Sequence, residues 1–248
     1  MKERLITSIV LIAFILIVGL IDNKYLTGLL IAVIAVAGMF EARRLFGVND
    51  ERVFYFLSFL AALGIFVNPV FIGVLGVISV ASYVAFYQKD INLVSISLYP
   101  FLSLMILFDL YLKTSMGMIG WLILIVALTD SFAYLIGKNF ARKFINQGFC
   151  PTSPNKSWEG VIGGVFVATL IGSFVGLAFF DFLSSFLIAF SVSVASVFGD
   201  LFESYLKRRA GVKDSGNILP GHGGILDRID GYLFAAPLMW AIIQTMGH

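Results

Sequence analysis

The chain has 248 residues, of which 59% are hydrophobic and only 13% are charged, and its formal net charge is +2. Soluble domains carry about 25% charged residues, so this composition excludes an ordinary soluble fold and indicates a polytopic membrane protein. The single cysteine, Cys150, excludes an internal disulfide and any metal site built from several cysteines. No nucleic acid is expected among the partners.

Nine apolar runs follow one another along the chain. Each is apolar on all sides, whereas the strands of a membrane barrel would alternate apolar and polar residues. A helix needs about 20 mostly apolar residues to cross the hydrocarbon core. The predicted fold class is therefore all-α, a polytopic integral membrane protein with about nine transmembrane helices. The predicted spans are residues 5–21, 25–40, 53–67, 70–86, 93–112, 116–136, 158–180, 183–199 and 231–247.

The lysines and arginines predict the orientation of these spans. With the N-terminus inside, all of the 17 cations except Lys24 and Lys113 fall on the inner side, as the positive-inside rule requires. The N-terminus is then cytoplasmic and the C-terminus external. The long polar loops, 137–157 and 200–230, both face the cytoplasm. Within the first loop, Arg142 and Lys143 are interpreted as membrane anchors.

The chain divides by character into two regions. Residues 1–112 are predicted to form an N-terminal transmembrane scaffold. Residues 113–248 carry nearly all the unusual polar side chains, and they are predicted to form a C-terminal transmembrane catalytic region. Asp109 lies within a predicted span, and the sequence assigns no role to it.

Polar residues recur between the sixth and seventh spans. Asp130 lies inside the sixth span, where an ionisable side chain is expected to be functional. Tyr134 and Lys138 follow at four-residue steps, so they share its helix face. Ser157 is a predicted N-cap of the next helix. The rigid Pro/Ser setting of Lys156 favours anion binding over simple anchoring at the membrane surface.

A helix predicted over residues 196–210 carries a polar stripe. Positions three, four, seven and eight apart share one face of a helix. The residues on this stripe are Asp200, Glu203, Ser204, Lys207 and Arg208. A solvated helix end with ion pairs is the alternative interpretation. It is disfavoured because a carboxylate near the end of a membrane span is costly unless it is paired or functional.

Residues 211–229, here called the glycine-rich loop, combine glycines with charged side chains. Glycine lets a backbone approach a ligand closely, and loop amides can cradle phosphate. A flexible connector is the alternative, but a connector rarely needs such polar residues. With Asp230, which follows the loop, they are Lys213, Asp214, His222, Asp227, Arg228 and Asp230. Carboxylates without cysteines suggest Mg²⁺, and the cations suit phosphates, which together indicate phosphoryl or nucleotidyl transfer.

These motifs resemble those of the phosphatidate cytidylyltransferases, or CDP-diacylglycerol synthases. The resemblance lies within about residues 120–240, and across residues 1–112 it extends only to hydrophobicity. The residues that match the family signature are Ser204, Lys207, Arg208, Lys213, Asp214, Gly216, Pro220, His222, Gly223, Gly224, Asp227, Arg228 and Asp230. Three upstream motifs also match. They lie at Thr129, Asp130, Ala133, Tyr134, Gly137 and Lys138, at Ser153, Pro154, Lys156, Ser157, Glu159 and Gly160, and at Gly199, Asp200, Glu203 and Ser204.

The resemblance implies a nucleotidyltransferase of phospholipid biosynthesis that converts CTP and phosphatidate to CDP-diacylglycerol and pyrophosphate. It implies a multi-pass protein of the cell (inner or plasma) membrane whose active site faces the cytoplasm. Mg²⁺ is expected at Asp200, Asp227 and Asp230, with K⁺ as a second cation, and a homodimer is a further expectation. Lys207 and Arg208 are expected to act with these carboxylates in catalysis. The expected substrate-binding residues are Ser204, Lys213, Asp214, His222, Gly223, Gly224, Arg228, Lys156, Asp130 and Lys138.

Two other functions stay open at this point. An ion-coupled transporter could use Asp130 and Asp200 as ion ligands, although no inverted repeat typical of transporters is visible. A CTP-dependent polyprenol kinase would also handle CTP at a membrane.

Overall fold

The structure is a computed structural model that describes residues 2–141, 143, 145 and 147–247, so Arg142 lies outside the described residues. Its helices are α1 (Lys2–Ile21), α2 (Lys24–Phe46), α3 (Glu51–Leu63), α4 (Pro69–Tyr87), α5 (Asn92–Ile96), α6 (Ser103–Lys113), α7 (Met116–Phe140), α8 (Trp158–Gly176), α9 (Phe182–Arg209), α10 (Leu226–Ile229) and α11 (Tyr232–Thr245). A π-helical segment, Ser97–Leu102, joins α5 to α6. Two short strands, β1 (Gly148–Cys150) and β2 (Ser153–Ser157), pair as an antiparallel hairpin.

The predicted all-α membrane fold is confirmed. Within the described residues, six helices are long and apolar enough to cross a membrane. They are Lys24–Phe46, Pro69–Tyr87, Asn92–Lys113, Met116–Phe140, Trp158–Gly176 and Phe182–Arg209. The part of α1 from Ile9 to Ile21 and all of α11 are shorter apolar helices. Each of the nine predicted runs overlaps helical structure, and the fifth run covers α5, the π-helical segment and α6 together. The third run overlaps α3, which has only 13 residues.

The chain folds into two compact units that do not follow the division predicted from composition. The first unit contains Met1–Met116 and Leu206–Ile229, and the second contains Gly117–Tyr205 and Asp230–His248. The glycine-rich loop therefore packs with the N-terminal helices. The prediction of a scaffold over 1–112 concerns function rather than packing, and it stays a prediction.

Polar contacts between helix ends show that neighbouring helices of the first unit run antiparallel. Near the end of α4, the hydroxyl of Tyr83 donates to Asp50, which caps the start of α3, at 3.0 Å. Just before α4 begins, the amide of Asn68 donates to Asp109 of α6 at 3.4 Å. The start of α3 and the end of α4 thus lie at one level, and the start of α4 and the end of α6 lie at another.

The structure gives Asp109 a partner that the sequence interpretation missed. Its carboxylate is 1% exposed and forms an ion pair of 2.9 Å with Lys113, one helical turn later. Nearby on α6, the hydroxyl of Tyr111 donates to Asp22, at the end of α1, at 2.7 Å. The contact between Tyr111 and Asp22 holds the ends of α1 and α6 together. The pairing of Asp109 with Lys113 indicates that Asp109 has a structural role.

The second unit is built on a close crossing of α7 and α8. On α8, small buried residues recur every four positions, at Gly160, Gly164, Ala168, Gly172 and Gly176. A Cβ added at Gly164 would lie 2.6 Å from the carbonyl oxygen of Thr129, so the two backbones are in direct contact. The indole nitrogen of Trp121 donates to the carbonyl of Gly172 at 2.8 Å. Small residues at four-residue spacing allow such close packing of helices in membranes.

Candidate active site

The second unit contains a polar cavity of about 500 Å³ at the end of α7. Asp130, Tyr134 and Lys138 line it from α7, which confirms the predicted shared face. Lys156 of β2 and Asp200 of α9 line it as well. The second unit therefore collects two carboxylates and two lysines around a space large enough for a phosphate group.

An ion pair crosses this cavity. The ammonium group of Lys156 lies 2.5 Å from Asp200 Oδ2, and the hydroxyl of Ser204 lies 3.3 Å from Asp200 Oδ1. The hairpin places Lys156 next to α8, because Ser157 ends β2 and caps α8 by accepting a hydrogen bond from the amide of Gly160 at 3.1 Å. The predicted N-cap is thus confirmed. It holds Ser157, and with it the end of the hairpin next to Lys156, at the start of α8.

A second ion pair lies in the first unit. Lys207, near the end of α9, lies 2.7 Å from Asp227 Oδ1, and both side chains are largely buried. The other oxygen of Asp227 accepts hydrogen bonds from the amides of Ser215 and Gly224 at 2.9 and 2.8 Å. Burial alone would raise the pKa of Asp227, but the hydrogen bond from Lys207 and those from Gly224 and Ser215 outweigh it and hold this pKa below its ordinary value. Asp227 is therefore an anion at neutral pH.

The glycine-rich loop forms the wall of another cavity in the first unit, of about 580 Å³. The side chains of Lys213, Asp214, His222 and Arg228 line this cavity. Arg228 is held in place because its guanidinium donates to the carbonyl oxygen of His222 at 2.7 Å. The two cations and the imidazole offer several hydrogen-bond donors, which suits the oxygens of phosphate groups.

Gly223 must be glycine for two reasons. Its φ of +85° lies in the left-handed region, and a Cβ added there would be 2.9 Å from Asp227 Oδ2. The turn that it ends is closed by a pair of hydrogen-bonded residues, Leu219 and Gly223. The loop thus brings its backbone against the Asp227 carboxylate.

Other predicted site residues are placed differently. Arg208 is exposed at the end of α9, and Glu203 of the same predicted stripe is fully buried. Asp230 follows α10, and its carboxylate accepts a hydrogen bond from the amide of Gly231 at 2.8 Å. The helix predicted over 196–210 is confirmed, since α9 extends to Arg209.

One functional candidate was missed in the sequence. Glu41 of α2 is buried and accepts hydrogen bonds from the backbone of the glycine-rich loop at Ile225 and Leu226. It lies one residue beyond the predicted span 25–40, next to the two arginines of the helix end. Gly216 and Gly224 leave room for its carboxylate because they have no side chain, but in the sequence these loop glycines do not point to a residue of α2.

The residues expected to hold Mg²⁺ have suitable donor chemistry. Asp200, Asp227 and Asp230 offer carboxylate oxygens, which hard cations prefer. Across the described parts of the chain, no group of three or more His, Cys, Asp or Glu side chains is arranged to hold a metal ion. Mg²⁺ takes only one or two protein carboxylates and completes its shell with water and substrate phosphates, so the carboxylates present fit it.

Comparison with known proteins identifies the family. Residues 2–246 match the model of the cytidylyltransferase family. A phosphatidate cytidylyltransferase of Helicobacter pylori strain J99 is 40% identical over 241 residues, which cover 95% of this chain and 89% of the relative. That of H. pylori strain 26695 is 38% identical over 251 residues, covering 99% and 92%. That of Thermotoga maritima is 48% identical over 126 residues, covering 47% and 45%.

The resemblance inferred from the motifs is thereby confirmed, and it extends beyond them into residues 1–112. The matching relatives favour neither a transporter nor a polyprenol kinase. With a match over nearly its whole length, this chain belongs to the cytidylyltransferase family.

Proposed function

We propose that this protein is a phosphatidate cytidylyltransferase of phospholipid biosynthesis. It transfers the cytidylyl group of CTP to phosphatidate and releases pyrophosphate. The observation that carries the proposal is the similarity to a relative of that name over 95% of the chain. The ion pair in each unit and the cation-lined cavity of the first unit are each consistent with phosphate binding.

The chemistry needs little proton transfer. A phosphate monoester has its second ionisation near neutrality, so a phosphatidate oxygen can attack the α-phosphorus of CTP directly. The bond from the α-phosphorus to the bridging oxygen of the β-phosphate breaks, and pyrophosphate leaves with the electron pair. The main barrier is repulsion between two polyanions, which positive groups at the site relieve. Lys213 and Arg228, on the 580 Å³ cavity, bind phosphate oxygens in this proposal.

The two paired lysines have a different role. Lys207 and Lys156 each pair with an aspartate, so each carboxylate is oriented before substrate arrives. The proposed binding surfaces also include Ser204, Asp130, Lys138, Asp214, His222 and the backbone of Gly223 and Gly224. Arg208, at the exposed end of α9, is a further proposed phosphate contact.

Mg²⁺ is part of the proposal, with Asp200, Asp227 and Asp230 as its proposed protein ligands. When bound, Mg²⁺ neutralises charge on the substrate phosphates and on the leaving pyrophosphate. A single ion shared by all three aspartates stays a prediction, as does the second cation, K⁺. Activity should be lost in excess EDTA and restored by Mg²⁺, and full turnover in EDTA would refute this part of the proposal.

We further propose nine crossings, with the N-terminus in the cytoplasm and the C-terminus outside. Within the first unit, the contacts at helix ends support this alternation. The contacts of Asp50 with Tyr83 and of Thr7 with Pro220 lie at the end that carries Arg43, Arg44, Arg52 and Lys89. Within the part of the first unit that the structure describes, the opposite end carries only Lys24 and Lys113. The positive-inside rule supports a cytoplasmic location for the cation-rich end, and the glycine-rich loop would then lie where CTP is available.

The remaining expectations concern the cell. We propose that the protein lies in the inner or plasma membrane with its active site on the cytoplasmic face. Phosphatidate would then reach the site sideways from the lipid, while CTP arrives from water. A homodimer stays a prediction, and cross-linking in native membranes would test it.

The proposed function is tested with purified protein, phosphatidate and CTP labelled at either the α- or the γ-phosphate. Cytidylyl transfer moves the α label into lipid and leaves the γ label in pyrophosphate. In a parallel assay with polyprenol as the acceptor, a polyprenol kinase would move the γ label into lipid instead. Absence of both labels from lipid, in the presence of Mg²⁺, would refute both enzymatic functions. Asp227→Asn serves as the inactive control.

A further inference from the structure

A buried carboxylate of α2 binds the glycine-rich loop. Glu41 is only 3% exposed, and its two oxygens accept hydrogen bonds from the backbone amides of Ile225 and Leu226, both at 3.0 Å. The hydroxyl of Ser215 lies 2.9 Å from the same carboxylate. Three donors from two separate points of the loop, Ser215 and the pair Ile225 and Leu226, thus converge on one side chain from a region predicted to be scaffold.

Two glycines of the loop are explained by Glu41. A Cβ added at Gly216 or Gly224 would overlap the Glu41 carboxylate. Neither glycine has a positive φ, so their backbone conformation does not require glycine. They are needed because the loop closes directly around the carboxylate. The fit between helix and loop is therefore specific to a side chain of this size and chemistry at position 41.

The contact between Glu41 and the loop extends to Asp227, a proposed Mg²⁺ ligand. The hydroxyl of Ser215, which is 1% exposed, lies 2.9 Å from Asp227 Oδ2 as well as 2.9 Å from Glu41 Oε2. The amide of Gly224, the residue before Ile225, donates to the same oxygen of Asp227. A shift of the loop away from Glu41 would therefore move two of the groups that orient Asp227.

Burial of an acid is costly without compensation, so a purely structural helix contact would be better served by an apolar residue. We propose that Glu41 is a positioning residue for the transfer reaction. It holds the glycine-rich loop in the shape that orients Asp227 and keeps Lys213 and Arg228 around their cavity. This inference rests on the proposed function, and its first test does not depend on it.

The first test measures hydrogen exchange of the loop amides in the full-length protein. Glu41→Gln keeps the shape of the side chain but replaces one acceptor oxygen with an NH₂ group. This group must face a backbone donor at either Ile225 or Leu226. Peptides that contain these amides should exchange at least about tenfold faster, as for a lost charged hydrogen bond. Glu51→Gln, at an exposed glutamate of the same unit, is the matched control and should change nothing there.

The second test measures steady-state kinetics. Glu41→Gln should lower kcat at least about tenfold while the KM for phosphatidate stays within roughly twofold, because the loop groups that Glu41 positions act on the transferring phosphates. Ser215→Ala removes one of the three donors and should change kcat in the same direction by less. The double variant should lose less than the product of the two single losses, since both act through the same contact.

The outcomes separate a positioning role from a structural one. Faster exchange confined to the loop, with a fall in kcat and coupling to Ser215, supports the proposal. Unchanged exchange and kcat, or faster exchange throughout the first unit with a matching loss of folded protein, would overturn it. If Glu41→Gln does not fold, Ser215→Ala alone carries both readouts. If the loop responds but the wild type transfers no cytidylyl group, the proposed function is wrong and the catalytic role falls with it.

Discussion

At the scale of single residues, Lys207 is the cation whose removal should lower the reaction rate most directly. It is 14% exposed and pairs with Asp227, whereas Arg209, two residues later on α9, is exposed. Lys207→Ala leaves a buried carboxylate without its partner and should cost at least about 2 kcal/mol of transition-state stabilisation, roughly 30-fold in rate. Arg209→Ala should cost less than about 1 kcal/mol. Initial rates of CDP-diacylglycerol formation in matched micelles decide this, and equal losses would indicate only a general positive potential.

The same ion pair predicts a dependence of stability on pH. The folded-state pKa of Asp227 lies below its unfolded value, so its stabilisation is complete above the unfolded pKa of about 3.9 and is lost as the pH falls through the folded pKa. The difference in melting temperature between the wild type and Asp227→Asn should be constant between about pH 6 and pH 8 and should shrink below about pH 4. A difference that grows in acid would contradict the assigned direction.

At the scale of elements, the crossing of α7 and α8 decides where Lys156 is held. The small residues of α8 pack against residues of α7 that are also four positions apart. These α7 residues are Trp121, Ile125, Thr129 and Ala133. The two helices have no room for added atoms along this line. The hairpin that carries Lys156 is attached at the end of this crossing, so its position depends on the packing of the two backbones.

A pair of glycine substitutions tests this crossing. Gly164→Ala places a methyl group against the backbone of Thr129 and Ala133, and it should destabilise by about 1–3 kcal/mol because neither backbone can yield. Gly120→Ala, on an exposed part of α7 with nothing within 4 Å, should cause no loss. Thermal unfolding in detergent measures both. Equal behaviour of the two variants would show that the close approach is not needed for stability.

At the scale of the whole molecule, orientation can be tested with the two ends of α4. In a Cys150→Ser background, Val67→Cys precedes α4 and Lys89→Cys follows it, and both positions are exposed. The proposed topology places position 67 outside and position 89 in the cytoplasm. An impermeant maleimide applied to intact cells should label only the first variant, and permeabilised cells should show both. Labelling of position 89 in intact cells would reverse the orientation.

The helices of this protein could be predicted from sequence because each is a continuous apolar run, and membrane hydrocarbon forces such runs into helices. The cavity residues Lys213, His222 and Arg228 could be predicted because their residue types and spacing match a family signature. The partner of Asp109 was recoverable in principle, since Lys113 lies one helical turn away. Glu41 was not, because its partners lie more than 170 positions along the chain and a single acid at a helix end has an ordinary local explanation.

The contact between Glu41 and Leu226 spans 185 positions, and this separation has a consequence for biosynthesis. At about 5–20 residues per second, a ribosome needs roughly 10–40 s to make the loop after α2 has emerged. During that interval the carboxylate has no loop to bind, and it must remain hydrated at the membrane surface. α2 therefore cannot settle to its final depth until the chain is nearly complete. We expect a chain arrested before Ser215 to hold the eight predicted spans that precede this residue in the membrane with this acid still in water, as a substrate for quality-control proteases rather than a finished protein.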